Sequence, residues 1–180
     1  FQAEDGIRDS VASRGRGDVY KRQLYHSMNK PKLLSTGYHS GTANTSTTIN
    51  VSKEIVWKKI SNIVNLDWLK EIKKTAYITE KRVGVGAGRK LEFQDGSVIN
   101  EYIVGWNDGQ YFSYVATSGL PLRAYHATIS LISLTKKSVR ITWKSYFNSE
   151  LMTKNQFDEF CSFIELFYKN SLKALKDSLE

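Results

Sequence analysis

Thr153–Leu179, TKNQFDEFCSFIELFYKNSLKALKDSL, is the stretch whose reading decides the fold. At helical spacing Phe157, Phe160, Cys161, Ile164, Phe167, Tyr168, Leu172, Leu175 and Leu179 share one broad face. Lys154, Asp158, Glu159, Lys169, Lys173 and Lys176 fall mostly elsewhere. The spacing predicts a long amphipathic helix. Each Phe or Leu on that face stabilises by roughly 1.5 to 3 kcal/mol only when something covers it, so the rest of the chain must supply the cover. Between about Thr47 and Phe147 the apolar residues mostly alternate, broken by Gly and Asn-Asp-Gly turns. The expected cover is one antiparallel sheet curled around the helix, and a sheet gripping a helix leaves a cavity between them. That cavity is where function is expected.

The chain has 180 residues, 41% hydrophobic and 12% aromatic, enough for one good core and one domain. No apolar run approaches the roughly 18 residues of a membrane span, so stable membrane insertion is not expected. The single cysteine, Cys161, excludes an intramolecular disulfide and suits a reducing, cytoplasmic location. On the apolar helix face it reads as a small core residue rather than a nucleophile. A net charge of +8 would attract anionic partners weakly, but the basic residues are scattered among acids, so nucleic acid is not an expected partner. One Cys and three dispersed His make a poor ligand set, and no metal or other cofactor is expected. No Gly-x-Ser-x-Gly elbow or comparable nucleophile signature is present. Oligomeric state cannot be read from the sequence.

Phe1–Gln23 has few apolar residues and no period. It resembles the translation of sequencing-adaptor or cloning sequence and is set aside as non-native. Residues 24–46 are rich in Ser, Thr, Gly and Asn and read as a flexible leader, with Met28 a candidate start. The domain is expected over 47–180. Thr47–Val51 reads as a first strand. Ser52 is a candidate N-cap for a first short helix burying Ile55, Val56, Trp57 and Ile60, and Asn65–Lys70 a candidate second helical turn carrying Trp68. Six strands follow: Lys73–Glu80, Gly88–Phe93, Ser97–Asn107, Gln110–Ser118, Arg123–Ser133 and Ser138–Phe147, separated by hairpin and loop chemistry. The order is an α+β chain with a curved antiparallel sheet of about seven strands, two short helices after strand one, and one long closing helix.

Gly84-Val85-Gly86-Ala87-Gly88 invites comparison with a phosphate-binding loop, but such a loop needs a helix after it, and Arg89–Phe93 alternates like a strand. A hairpin loop is expected. Strand parity places Tyr125, Ala127, Ile129 and Leu131 inward and His126 toward solvent; Val139, Ile141, Trp143 and Phe147 inward; and Phe112 with Tyr114 on one face. Such aromatic residues serve a plain core or the walls of an apolar pocket with phenolic handles. Glu101 shares a face with Ile99 and Ile103, opposite Val98, Tyr102, Val104 and Trp106, so parity alone does not orient it. Trp57 and Trp68 read as core or pocket-edge packing.

Five segments, INVSKEIVWKKISNIVNLDWL (Ile49–Leu69), GVGAGRKLEFQDGSVINEYIVGWN (Gly84–Asn107), TSGLPLRAYHATISL (Thr117–Leu131), VRITWKSYF (Val139–Phe147) and the closing helix, resemble the SRPBCC superfamily of START, birch-pollen-allergen and polyketide cyclase/dehydrase proteins. The likeness is strongest to the polyketide cyclase/dehydrase and lipid-transport branch, and more distant to the plant abscisic-acid receptors. It spans about Thr47 to Glu180. It implies the helix-grip fold and leaves activity open, since the superfamily holds cyclases, hydrolases, carriers and receptors. The resemblance turns Glu101 into the cavity, because the acid of this E-x-I segment commonly points inward, and it sets the 84–88 loop at the cavity mouth. A carboxylate there needs a partner or a raised pKa. Arg89 on the neighbouring strand is the obvious partner, and a purely structural Glu101–Arg89 pair is the plain alternative.

The expected function is binding of a hydrophobic or amphipathic small molecule of lipid, polyketide-like or isoprenoid-like character. The expected ligand-binding residues are Trp68, Arg89, Glu101, Phe112, Tyr114 and Tyr125, with Ile129, Trp143, Phe160, Ile164 and Phe167. The alternative is a cyclase or dehydratase with Glu101 as catalytic acid/base. A third reading is a protein-interaction module with a filled core.

Overall fold

A computed structural model describes residues 37–180; the adaptor-like stretch and the leader as far as residue 36 lie outside the described residues. The chain runs β1 (His39–Ile49), α1 (Lys53–Ile60), β2 (Ile72–Tyr77), β3 (Gly88–Phe93), β4 (Val98–Asn107), β5 (Tyr111–Ser118), β6 (Ala124–Thr135), β7 (Ser138–Ser149) and α2 (Lys154–Leu179). The seven strands form one antiparallel sheet in the order β1-β7-β6-β5-β4-β3-β2, so the first strand closes beside the last. Helix α2 lies against β1 and β7, and α1 against β6 and β7. This is the expected helix-grip arrangement.

Helix α2 starts where its sequence dictates. Thr153 and Gln156 form a capping box, the Thr153 hydroxyl accepting from the Gln156 N–H at 3.3 Å and the Gln156 side chain accepting from the Thr153 N–H at 2.9 Å. Phe157, Phe160, Ile164, Tyr168, Leu172 and Leu175 are buried on the predicted face. The parity of β6 and β7 also holds: Tyr125, Ala127, Ile129, Leu131, Val139, Ile141, Trp143 and Phe147 are buried and His126 is exposed.

Four expectations need correction. Residues 39–46, expected in the leader, are the first eight residues of β1 and pair along β7 from His39↔Ser149 to Ser46↔Thr142. The second short helix is absent. Residues 61–71 form turns closed by Asn65 N–H to Asn62 carbonyl (3.1 Å) and Leu69 N–H to Leu66 carbonyl (2.8 Å), and the Asn62 side chain accepts from the Asn65 N–H at 3.2 Å. A side chain competing for backbone donors stops a helix from propagating. These turns still bury Ile63, Leu66, Trp68 and Leu69. In α1, Val56, Trp57 and Ile60 are buried but Ile55 is exposed, because Ile55 and Trp57 point about 200° apart around the axis and one flank cannot cover both. Ser52 occupies the N-cap without a side-chain cap bond.

Finally, Trp106 faces the same side as Phe112 rather than that of Tyr102. The ladder between β4 and β5 steps from Ile103↔Tyr114 to Gly105↔Ser113, leaving Val104 as an extra residue, and a second step leaves Thr117 extra on β5. A bulge inserts one residue, bends the strand and exchanges the faces beyond it. Trp106 therefore packs on Trp57 (5.2 Å between rings) and Phe112 (5.9 Å).

Candidate functional site

The residues expected to line the cavity converge on the helix-facing side of the sheet, where they join one buried cluster. Glu101 and Arg89 lie side by side on paired positions of β4 and β3 and are 5% and 3% exposed. The bulges at Val104 and Thr117 bracket the pairing of Glu101–Ile103, and Glu101 points inward on the same face as Ile99 and Ile103.

Arg89 Nε donates to Glu101 Oε2 at 2.8 Å, and Nη2 makes an ion-pair contact with the same oxygen at 2.7 Å. Its Nη1 donates to the Ile63 carbonyl at 2.9 Å. Arg89 thereby ties the turn segment after α1 to the sheet. Its flat face lies 5.0 Å from the Tyr114 ring, an arrangement in which cation and ring quadrupole attract. Burial pushes the Glu101 carboxyl above the ordinary carboxylate value, against the opposing pull of Arg89.

Around this pair stands a set of aromatic side chains with polar ends. Trp143 Nε1 donates to the Tyr114 hydroxyl at 3.0 Å. The Tyr125 and Tyr168 hydroxyls are hydrogen-bonded to each other. Burial raises the pKa of all three tyrosines, so they stay neutral phenols that can donate or accept. Trp143 stacks on Tyr168 with ring centroids 4.1 Å apart and meets Trp68 edge-on at 5.8 Å. The indole N–H of Trp68 is buried and has no hydrogen-bond partner among the described residues.

Among the other sequence-predicted residues, Phe112 and Ile129 are buried on β5 and β6, Phe160 and Ile164 are buried on α2, and Phe167 is half-buried with its ring 5.8 Å from Trp143. Two further residues, Tyr168 and Ile63, take part. Tyr168 was visible on the apolar helix face but nothing in its spacing announced a hydroxyl partner, and Ile63 takes part through its backbone carbonyl, which no side-chain pattern signals.

The glycine-rich loop is a hairpin, as expected. Gly86 N–H bonds the Ile103 carbonyl (2.9 Å), Ala87 N–H the Gly84 carbonyl (3.1 Å) and Gly88 N–H the Thr79 hydroxyl (2.7 Å). Donors so committed, with no helix after them, cannot cradle a phosphate. Cys161 is half-buried, its thiol pushed up by burial, which disfavours the nucleophilic thiolate. Among the described residues no group of three His, Cys, Asp or Glu could hold a metal ion, and no helix is long and apolar enough to cross a membrane.

A family model described as polyketide cyclase/dehydrase and lipid transport matches residues 40–180. Similar solved structures include an uncharacterised protein from Bacillus thuringiensis, with 26% identity, a TM-score of 0.67, and 77% of this chain and 98% of that chain covered. The protein XoxI from Bacillus cereus gives 26% identity, a TM-score of 0.66, and coverage of 77% and 95%. The Zhui aromatase/cyclase from a Streptomyces species shares the fold at a TM-score of 0.68 with 11% identity, covering 78% of this chain and 94% of that one. No curated protein matches the chain.

Proposed function

Because the chain belongs to the polyketide cyclase/dehydrase and lipid-transport family of the SRPBCC superfamily, we propose that it binds a hydrophobic or amphipathic small molecule between its sheet and α2. The buried Arg89–Glu101 pair among aromatic walls carries this reading. A core serving stability alone does as well or better with apolar residues of similar volume, so a fully buried ion pair is weak evidence for stability and a pointer to function. The unpartnered Trp68 indole supports the same reading, since a ligand acceptor would satisfy it. The walls touch one another, Trp143 against Tyr168. A ligand therefore enters by parting α2 from the sheet and replacing that stack, with Glu101 and Arg89 orienting its polar group.

Native mass spectrometry of the protein from a lysate rich in lipids and metabolites, followed by denaturing extraction, tests this. A stoichiometric small molecule lost in Tyr114→Phe or Glu101→Gln is the expected result. A protein that stays empty and leaves its Trp emission unchanged with lipids, polyketides and isoprenoids would sink the reading.

One observation favours a second reading, a cyclase or dehydratase. The upward push on the Glu101 carboxyl is what a general acid/base working near neutrality requires. Turnover of a carbonyl substrate that disappears in Glu101→Gln while binding persists would establish it. Binding without turnover would leave the carrier.

A further inference from the structure

Four exposed apolar side chains gather at one corner of the sheet, far from the aromatic site in function though joined to it by the same strands. Val83 and Val85 are 58% and 50% exposed on the β2–β3 loop, Ile78 is 37% exposed at its base, and Val104 is 46% exposed on β4. The backbone brings them together. Gly86 N–H donates to the Ile103 carbonyl and Ile103 N–H to the Ala87 carbonyl, both at 2.9 Å, so Val85 and Val104 run alongside each other. The extra residue in β4 is thus the one that adds Val104 to the patch.

Two cations stand on the same loop. The Lys81 stem lies 3.7 Å from where a side chain on Gly86 would begin, and the Arg82 guanidinium rests 4.5 Å from the Tyr77 ring. Neither is in an ion pair among the described residues, and Glu80 is the loop's one acid. The loop is held in shape: the Thr79 hydroxyl donates to the Lys81 carbonyl at 2.9 Å and accepts from Gly88 N–H at 2.7 Å, and Gly84 and Gly86 take the positive φ that the turn needs.

We propose that this corner docks on the surface of an anionic lipid bilayer, with Val83, Val85 and Val104 entering the headgroup boundary and Lys81 and Arg82 meeting the lipid phosphates. Charge complementarity favours this occupant, since Lys81 and Arg82 outnumber Glu80 on the loop and the chain stays basic, net +7, without its adaptor-like stretch. So does size. A stable protein partner needs about 800 Å² of buried surface per side, typically anchored by aromatic residues, whereas a few small apolar side chains on a loop tip suit shallow insertion. Weak insertion combined with a basic patch is the two-signal arrangement that gives peripheral membrane binding. The inference stands apart from the ligand reading, because a bilayer contact needs no occupant in the core.

The test is co-sedimentation of the full chain with vesicles of phosphatidylcholine alone or with about one-third phosphatidylserine, at low and high salt. Wild type is expected to bind the phosphatidylserine vesicles, and to release them as salt rises. Lys81→Ala/Arg82→Ala is expected to weaken that binding roughly 30-fold, and Val83→Ser/Val85→Ser by about tenfold or more, with unfolding midpoints unchanged in both. Equal sedimentation of wild type and both variants overturns the proposal. So does self-association that the valine variant abolishes while vesicles bind nothing, which would assign the patch to a second copy of the chain.

Discussion

Arg89→Met keeps the length and much of the volume of the side chain and removes its charge. Two donated hydrogen bonds are lost, one to Glu101 Oε2 and one to the Ile63 carbonyl, together with the Nη2–Oε2 ion-pair contact. What remains is a buried carboxyl pushed up by desolvation with no cation to oppose it, and such a group takes up a proton rather than stay charged. Holding it neutral at pH 7, above the ordinary value of 4.5, costs at most roughly 3 kcal/mol. The folded value lies above the unfolded one, so the group's contribution to stability is complete below 4.5 and is lost as pH rises toward the folded value. Loss of the bond to the Ile63 carbonyl adds roughly 1 to 2 kcal/mol that does not depend on pH. Urea unfolding of wild type, Arg89→Met and Arg89→Met/Glu101→Gln at pH 7 and pH 5 separates the parts. The gap between wild type and the single variant should shrink by roughly 1 to 2 kcal/mol on going to pH 5. The double variant, with no carboxyl to titrate at this place, should lack the steeper slope. A single-variant gap equal at both pH values would show that water reaches Glu101, and the argument from burial would fail.

Further substitutions probe the packing that holds the site. Gly41→Ala places a methyl group 3.0 Å from Cys161 Sγ and 3.1 Å from Phe157 Cε1, where β1 meets α2; it should cost about 1 to 3 kcal/mol, partly recovered when Cys161→Ala is added, as read by thermal unfolding. Tyr114→Phe removes the acceptor of the Trp143 indole, an expected loss of about 1 to 3 kcal/mol, and unchanged denaturant midpoints would place that N–H in contact with water. Trp106→Ala should destabilise by about 2 kcal/mol or more while Val104→Ala stays within about 0.5 kcal/mol; the reverse order would mean that the strand does not switch faces at Val104.

The sequence was most legible where large apolar residues alternate. In β6 and β7 each inward Ile, Val, Tyr or Trp is flanked by a polar neighbour, and parity orients every one of them. Strand β1 alternates just as strictly in burial, but its helix-facing positions are Gly41, Ala43, Thr45 and Thr47. Small residues are what let α2 come close, and they carry almost no hydrophobic signal, so residues 39–46 read as leader and only the end of the strand, from Thr47, stands out. Glu101 and Trp106 were obscured for another reason. Both faces of β4 are apolar, and the residue that shifts the pairing looks like any other valine. The Glu101–Arg89 geometry was within reach because their strands are neighbours, whereas the contribution of the Ile63 carbonyl depends on how residues 61–71 turn, which local preference left open between helix and loop.

The extra residue at Val104 works as a reading-frame shift written into a strand. Ahead of it, residues with odd numbers face the inner side of the sheet; past it, Trp106 does, against Trp57 of α1. Were Val104 to take a regular ladder place opposite Ser113, with no residue left over, Trp106 would turn into water, Trp57 would lose its aromatic neighbour and Asp108 would be drawn off the Trp57 indole, to which it is bonded at 2.9 Å. Proteins sharing this architecture are therefore expected to vary in length at their hairpin tips, and to lose or gain a residue between the positions of Glu101 and Trp106 only together with the bulge itself, because that interval and the bulge jointly set which way the far half of the strand faces.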